Sequence, residues 1–158
     1  MSAPFLRSLQ IEFAPDVDAV SIAHGLLVLE LAPQALLGTV QRLKSLHQFD
    51  MLLDVTAVDW PGQDKRFEVV HHLYSTKHLV RVRLKTRVTE ADPAVDSLVP
   101  LYGSAAFMER ECHEMYGIVF RGNQDLRPIL LYEGFVGHPL RKDYPKHKEQ
   151  PLIPYREQ

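Results

Sequence analysis

Cysteine is nearly absent from this sequence, since Cys112 is the only one among 158 residues. A single thiol cannot form an internal disulfide, and alone it cannot ligate an iron–sulfur cluster or a four-cysteine zinc site. Nothing in the chain therefore depends on oxidation, and we expect a protein of a reducing compartment.

Long hydrophobic runs and an excess of positive charge are missing as well. The most apolar window, residues 25–31, is far shorter than the roughly 20 residues of a membrane-spanning helix. Residues 1–7 lack the apolar run of a secretory signal. Lys and Arg number 18 against 20 Asp and Glu, whereas proteins that bind nucleic acid are usually basic. We therefore expect a soluble protein, or one held at a membrane only by its partners, with no nucleic acid as ligand.

The glycine motifs of common active sites are also absent. There is no G-x-G-x-x-G or P-loop pattern and no G-x-S-x-G elbow. What is present is an ordinary globular composition, with 46% hydrophobic and 24% charged residues, in a chain of about one domain's length. The residues alone therefore predict a structural or interaction protein with no self-contained active site.

Hydrophobic periodicity predicts an α+β fold for residues 1–120. Strands are expected over residues 26–31, 51–59, 66–75 and 79–89, joined into a mostly antiparallel sheet. Helices are expected over residues 33–47, as a short element over 93–102, and over 104–116. In the last helix Ser104 is the predicted N-cap and Gly117 the left-handed stop.

Proline and glycine recur from residue 121 to residue 158, which excludes long regular elements there. Apolar residues persist among them, so this is no low-complexity tail. We expect an extended segment that covers a surface, either of its own chain or of a neighbouring protein.

Strand 79–89 carries four cations on one face, opposite an apolar face. Such a row could follow a phosphate backbone, but the chain is acidic overall and no aromatic residues interleave. A solvated or protein-facing stripe is therefore the favoured interpretation of Arg81, Arg83, Lys85 and Arg87.

Helix 104–116 carries residue types that ligate metals, among them Glu109 and His113, which share one face. Cys112 points elsewhere, onto an apolar stripe, so a buried small hydrophobe is favoured over a metal or thiol site. Arg110 and Glu114 are spaced for a favourable ion pair on the helix surface.

Three stretches in the last third of the chain resemble a known signature. They are ERECHEMYGIVF at residues 109–120, DLR at 125–127 and GHPLRKDYP at 137–145. They are similar to the C-type subunit of NADH-quinone oxidoreductase, which is the 30-kDa subunit family of respiratory complex I. The similarity extends upstream to residues 54–61, 66–73 and 81–85, which occur in the order that the family shows. The resemblance therefore covers about residues 26–145.

The resemblance implies a cofactor-free accessory subunit of the hydrophilic arm, peripheral on the cytoplasmic side of the cell membrane. FMN and iron–sulfur clusters would reside in other subunits. The chain would pack on the D-type subunit, which forms the quinone site with the B-type subunit, and its C-terminal segment would wrap that neighbour. The residues that match the family motif and are thereby assigned to the partner interface are Glu109, Arg110, Glu111, Asp125, Arg127, Gly137, His138, Pro139, Leu140, Arg141, Lys142, Asp143, Tyr144 and Pro145.

The chain departs from the family pattern at His113, Glu114, Asn123-Gln124 and Pro128, which leaves open how the segment packs against its neighbour. Two alternatives to complex I stay open. One is the equivalent subunit of an energy-converting hydrogenase or another membrane dehydrogenase, and the other is a stand-alone metal or thiol enzyme.

Arg141 and Asp143 lie past the last predicted regular element, so we expect them to contribute little to the chain's own core. Replacing either would then reduce assembly with a partner more than it reduces the stability of this chain.

Overall fold

A five-stranded sheet forms the centre of the structure, which we describe from a computed structural model over residues 2–147. The strands are β1 (Ala19–Ala23), β2 (Leu26–Leu31), β3 (Met51–Asp59), β4 (Phe67–Ser75) and β5 (Val80–Val88). They lie in the order β1-β2-β5-β4-β3, and all neighbours are antiparallel except β2 and β5, which run parallel. The predicted antiparallel meander of β3, β4 and β5 and the α+β class are confirmed.

Three helices of 12 residues pack on one face of this sheet: α1 (Ser2–Phe13), α2 (Leu36–His47) and α3 (Ala105–Tyr116). Apolar side chains from all three helices join the alternate, inward-facing residues of the strands in one core. Short 3₁₀ turns at Ala14–Asp16 and Pro33–Ala35 precede β1 and α2. Within residues 2–147, none of the helices has the length and apolarity needed to cross a membrane.

The strand β5 alternates as expected. Val82 and Leu84 are fully buried among the helices, and the four cations of β5 lie on the opposite face, which we call the outer face of the sheet. Val28 and Val70 are buried on that outer face without joining the core under the helices.

Two sequence-based expectations about regular structure are wrong. The short helix over residues 93–102 is replaced by the strand β6 (Ala94–Asp96), which pairs in parallel with β7 (Val119–Arg121), so a distant pairing overrides the local pattern. Ser104 precedes α3 but makes no capping hydrogen bond, because its own backbone is already helical, with φ −63° and ψ −25°. The elements α1 and β1 were missed entirely.

His71 lies on the core face of β4 and is completely buried. Neither ring nitrogen has a hydrogen-bond partner among the described residues. Burial, with a smaller contribution from His72, lowers the pKa of His71 to about 3 from its ordinary 6.5. The folded protein therefore keeps this ring neutral at pH values where the unfolded chain protonates it.

This difference predicts an acid-sensitive stability. Between about pH 6.5 and pH 3 the unfolded chain binds one more proton at His71 than the folded chain, so stability decreases as the pH falls. The contribution approaches about 1.4 kcal/mol per pH unit inside that window. Urea unfolding at pH 6, 5 and 4 gives the free energy of unfolding at each pH. The slope of this free energy against pH should be smaller for His71→Leu than for the unaltered chain. His147→Leu, at an exposed histidine, should keep the full slope, and equal slopes in all three proteins would contradict the assignment.

Candidate partner interface

Residues 121–147, here called the C-terminal segment, fold back over α3 and the adjoining end of β3 and β4. The return begins at Gly117, whose φ of +77° ends α3 while its N–H donates to the His113 carbonyl at 2.7 Å. The predicted left-handed stop is confirmed. A methyl group at Gly117 would lie 2.6 Å from side-chain atoms of His138 and Arg141, so the segment approaches the end of the helix too closely for any other residue.

The last carbonyls of a helix have no partner within the helix, and the motif at residues 137–145 supplies donors to three of them in α3. The His138 ring N–H donates to the carbonyl of residue 114 at 2.8 Å. The Leu140 N–H donates to residue 115 at 3.2 Å, and the Arg141 Nε donates to residue 116 at 2.6 Å. The motif therefore acts as the C-cap of α3.

Glu114 binds the backbone of the C-terminal segment from the last turn of the same helix. Its carboxylate accepts the N–H groups of Ile129, Leu130 and Leu131 at 3.3, 3.0 and 2.8 Å. These three charge-assisted bonds satisfy consecutive amides of a segment that has no regular structure.

Arg110 also faces the segment, where it donates to the carbonyls of Arg127 and Pro128 at 2.8 and 2.9 Å. The predicted ion pair between Arg110 and Glu114 is therefore wrong. Both side chains bind backbone groups of the C-terminal segment instead of each other.

An ion cluster fixes the far end of the segment to the sheet. Arg66 binds Asp59 in a bidentate pair, Nε to Oδ1 at 2.7 Å and Nη2 to Oδ2 at 2.9 Å, and its Nη1 reaches Asp143 and Glu90 at 2.9 Å. The Asp59 side chain is fully buried and also accepts the Lys142 N–H at 2.7 Å. Hydrogen bonds from the Arg66 guanidinium lower the pKa of both Asp59 and Asp143.

Arg141 and Asp143 therefore contact the chain's own domain, and the expectation that they contribute little to its core is wrong. Arg141 caps α3 and lies over the Phe67 ring at 4.9 Å, while Asp143 joins the Arg66 cluster. Sequence reasoning missed Asp59, Arg66 and Glu90, although Asp59 and Arg66 close the β3–β4 hairpin and are opposite in charge.

Glu109 is buried and lies between α3 and the two-stranded sheet. It accepts hydrogen bonds from the Ser97 hydroxyl at 2.8 Å, the Leu98 N–H at 2.7 Å and the Asn123 amide at 2.9 Å. Burial raises the pKa of Glu109 above its ordinary value in spite of these donors. The residue is an internal brace of the fold rather than a surface ligand.

Asp125 adjoins this set of contacts through Arg110, whose Nη1 lies 3.8 Å from Asp125 Oδ2. Asp125 pairs with Arg127 at 2.8 Å, and this pair lowers the pKa of Asp125. Gly137 adopts a φ of +103°, and a methyl group there would lie 2.9 Å from the Tyr144 ring. Pro139 is half-buried, whereas the exposed motif residues are Glu111, Arg127, Gly137, Leu140, Lys142, Asp143 and Pro145.

The segment also presents apolar side chains to solvent, as an apolar ridge that forms no part of the core. Leu130 is 62% exposed and Leu140 is 48% exposed. The ridge consists of Ile129, Leu130, Tyr132, Val136 and Leu140.

The residues proposed for metal or thiol chemistry are not brought together. Cys112 is buried as predicted, and burial raises the pKa of its thiol. His113 donates from Nδ1 to the Ile118 carbonyl at 2.8 Å, and Glu109 faces the two-stranded sheet. Across residues 2–147, no three His, Cys, Asp or Glu side chains are arranged to hold a metal ion.

Comparison with known proteins identifies similar chains. Residues 29–150 match the family model described as respiratory-chain NADH dehydrogenase, 30 Kd subunit. The C-type subunit of the NADH-quinone oxidoreductase of Agrobacterium fabrum is 45% identical over 131 residues, which are 82% of this chain and 65% of that protein. This chain thus spans less than two thirds of the length of that relative.

Two solved structures share the fold. The trypsin-resistant fragment (1-134) of Nqo5 superposes with a TM-score of 0.69 at 28% identity, covering 77% of this chain and 98% of the fragment. A chain of the membrane-bound sulfane sulfur reductase, an archaeal respiratory membrane complex, gives a TM-score of 0.80 at 22% identity, covering 93% and 88%. At 22% identity, the similarity to the sulfane sulfur reductase chain shows a shared fold and nothing more.

The burial of Asp59 predicts that its counter-ion is essential for stability. Arg66→Met leaves a carboxylate in the interior without its cation, which costs about 3–5 kcal/mol. Arg127→Met removes an arginine that is 82% exposed and should change stability by less than about 0.5 kcal/mol. Urea unfolding of the full chain at pH 7 compares the two, and a similar small effect of both substitutions would contradict a structural role for the cluster.

The close approach at Gly117 predicts that the C-cap can be displaced selectively. In Gly117→Ala the new methyl group pushes His138 and Arg141 away, so the amides of Leu140 and Lys142 should exchange hydrogen roughly tenfold faster. Gly134→Ala is the matched control, because Gly134 has a φ of +88° but nothing within 4 Å of an added methyl group. Equal acceleration in both variants would attribute the effect to backbone strain instead of to the lost donors.

Proposed function

Since this chain belongs to the family of the 30 kDa subunit of respiratory-chain NADH dehydrogenase, we propose that it is a non-catalytic, structural subunit of the hydrophilic arm of a proton-translocating NADH:quinone oxidoreductase. Its part is to hold neighbouring subunits in place while electrons pass from NADH to quinone through other chains. The observation that carries this proposal is the C-terminal segment, which is fixed inwardly to its own domain and presents exposed apolar side chains outwardly.

The inward contacts make the segment a prepared docking surface. Residues 129–131 are bound by Glu114 and residues 138–142 by α3 and Asp59, so little chain entropy remains to be lost on association. A segment ordered before binding gives more affinity for the same buried area than one that orders only in the complex. The N–H groups of residues 129–131, 140 and 142 are already bonded within the chain, so the partner does not have to satisfy them.

The motif residues accordingly fall into two groups. Glu109, Arg110, His138 and Arg141 are positioning residues, because their bonds are made within the chain. Arg127, which pairs with Asp125 but is 82% exposed, and the exposed Lys142 are contact residues together with the apolar ridge. Their chemistry fits a partner surface that is apolar at its centre and acidic at its rim.

We propose the D-type and B-type subunits of the same complex as the partners of this surface. We place FMN, the iron–sulfur clusters and the quinone site in those and other subunits. Cys112, the sole cysteine, is buried and protonated and so does not fit a cluster, which requires several thiolates. Membrane contact would occur only through the assembled complex, on the cytoplasmic side.

Purification of the complex through a tag on this chain tests the proposal. We expect subunits of an NADH:quinone oxidoreductase to copurify in equal amounts, with NADH:quinone reductase activity in the same fraction. Recovery of hydrogenase or sulfur-reductase subunits would assign the chain to a related membrane complex. Recovery of the chain alone would contradict both assignments.

The apolar ridge predicts a separation between assembly and stability. Leu130→Gln with Arg127→Gln should reduce the yield of complex at least roughly tenfold, because an apolar contact and a cation are lost at a desolvated interface. The melting temperature of the free chain should stay unchanged, since both side chains are exposed. The matched control is Leu46→Gln with Arg7→Gln, which alters a leucine that is 67% exposed and an exposed arginine outside the segment. A drop in melting temperature without a loss of complex would refute the docking role.

A further inference from the structure

The outer face of the sheet is charged unevenly along β5. At one end, the Glu68 carboxylate pairs with Lys85 at 3.2 Å and with Arg87 at 3.1 Å, and its side chain is only 4% exposed. These two cations share one buried carboxylate, which offsets one of their two positive charges. The row of four cations is therefore interrupted at this end, which disfavours a phosphate backbone as its ligand.

At the other end, Arg81 and Arg83 have no carboxylate partner within the part of the chain that the structure describes. The Arg81 guanidinium lies over the Tyr74 ring at 5.9 Å. The Arg83 Nε donates to His72 Nε2 at 3.2 Å, so the ring accepts that hydrogen bond and is neutral. Two guanidinium groups on one sheet face thus stand side by side with no anion between them.

Both arginines line a groove of about 510 Å³ that runs over the outer face. Leu26, Val28 and Leu79 contribute apolar side chains to its lining, beside the two arginines. Leu79 is 71% exposed and has a φ of +54°, a left-handed conformation that costs free energy for a residue with a side chain. The groove thus combines an exposed leucine with two arginines that have no carboxylate partner among the described residues.

We infer that this groove binds an extended acidic segment of another subunit, with carboxylates at alternate positions. Arg81 and Arg83 are next-but-one residues on a strand, about 6.6 Å apart along it, which equals the spacing of alternate side chains in an extended peptide. Each guanidinium can then take one carboxylate in a bidentate pair. A side chain of the bound segment that lies next to these carboxylates would pack on Leu26 and Leu79.

The lining of the groove favours a peptide over other anionic ligands. Two arginines beside apolar side chains fit a segment that carries both carboxylates and apolar groups, whereas two cations are too few to bind a nucleic-acid strand tightly. This groove lies on the sheet face opposite the helices, whereas the C-terminal segment packs on α3. The chain would thereby join two neighbours, or two parts of one neighbour, through separate surfaces. The inference rests on the proposed function only in taking the acidic segment from the same complex.

Site-specific photo-cross-linking in the purified complex tests the groove. p-Benzoylphenylalanine replaces Leu79 in one preparation and Leu130 in another, and the cross-linked peptides are sequenced by mass spectrometry. We expect the Leu79 position to capture a peptide with Asp or Glu at alternate positions.

R81E/R83E should reduce this adduct at least tenfold, and R81Q/R83Q should reduce it several-fold without adding new charge. The control R7E/K65E has the same change in net charge at exposed cations elsewhere and should leave the adduct unchanged. Replacing the two acidic residues of the captured peptide by basic residues should restore the adduct with R81E/R83E.

Each outcome separates this inference from the proposed function. An adduct at Leu130 with none at Leu79, or a Leu79 adduct to lipid, to nucleic acid or to a peptide without acidic residues, overturns the groove assignment and leaves the assembly role intact. Absence of adducts at both positions overturns both proposals. Melting temperatures of the free variants within a few degrees of the unaltered chain establish that a lost adduct reflects binding and not unfolding.

Discussion

The open carbonyl groups at the C-terminal end of α3 are the constraint on which the arrangement of the last third of the chain depends. Backbone polar groups that leave a helix beside a packed core must find donors. Here the donors come from His138, Leu140 and Arg141, so a segment without regular structure becomes ordered by completing a helix. The Arg66 cluster then fixes the residues that follow. The fold thereby extends past its last strand without adding a further element.

The departures of this chain from its family pattern fit the same network. Glu114 carries the carboxylate that binds three consecutive amides, and His113 satisfies the carbonyl of Ile118 just beyond the helix. Asn123 donates to the buried Glu109, and Pro128, which has no N–H to satisfy, offers its carbonyl to Arg110. These four departures therefore take part in hydrogen bonds inside the chain.

Much of the fold could be predicted from the sequence because its strands alternate and its helices carry apolar stripes. The strands β2, β3, β4 and β5 and the helices α2 and α3 lie within a residue or a few of their predicted bounds. Leu6, Leu9 and Phe13 in α1 carry a helical spacing that could have been found. The strand β6 could not, because its partner β7 lies over twenty residues away and only their pairing distinguishes the strand from a helical turn.

The candidate site was harder to predict for a related reason. The motif residues were identified by resemblance, but whether each one faces its own domain or the solvent depends on bonds between distant positions. One such bond joins Lys142 to Asp59 across 83 residues. A local pattern carries no information about such bonds. The sequence therefore indicated which residues matter, and the structure separated those that face inward from those that face outward. The division at residue 121 remains a prediction, and residues 148–158 of the second part lie outside the described residues.

The order of strands in the sheet has a consequence for the way the chain folds as it is synthesised. The central strand β5 is the last of the five to leave the ribosome, and it joins the β1–β2 hairpin to the β3–β4 hairpin. Leu27 pairs with Val82, so the edge of β2 stays unpaired while more than fifty residues are added. Such long-range parallel pairing is slow, and an open apolar edge favours mispairing with other nascent chains. Until β5 completes the sheet, the nascent protein therefore depends on being kept from pairing with other chains.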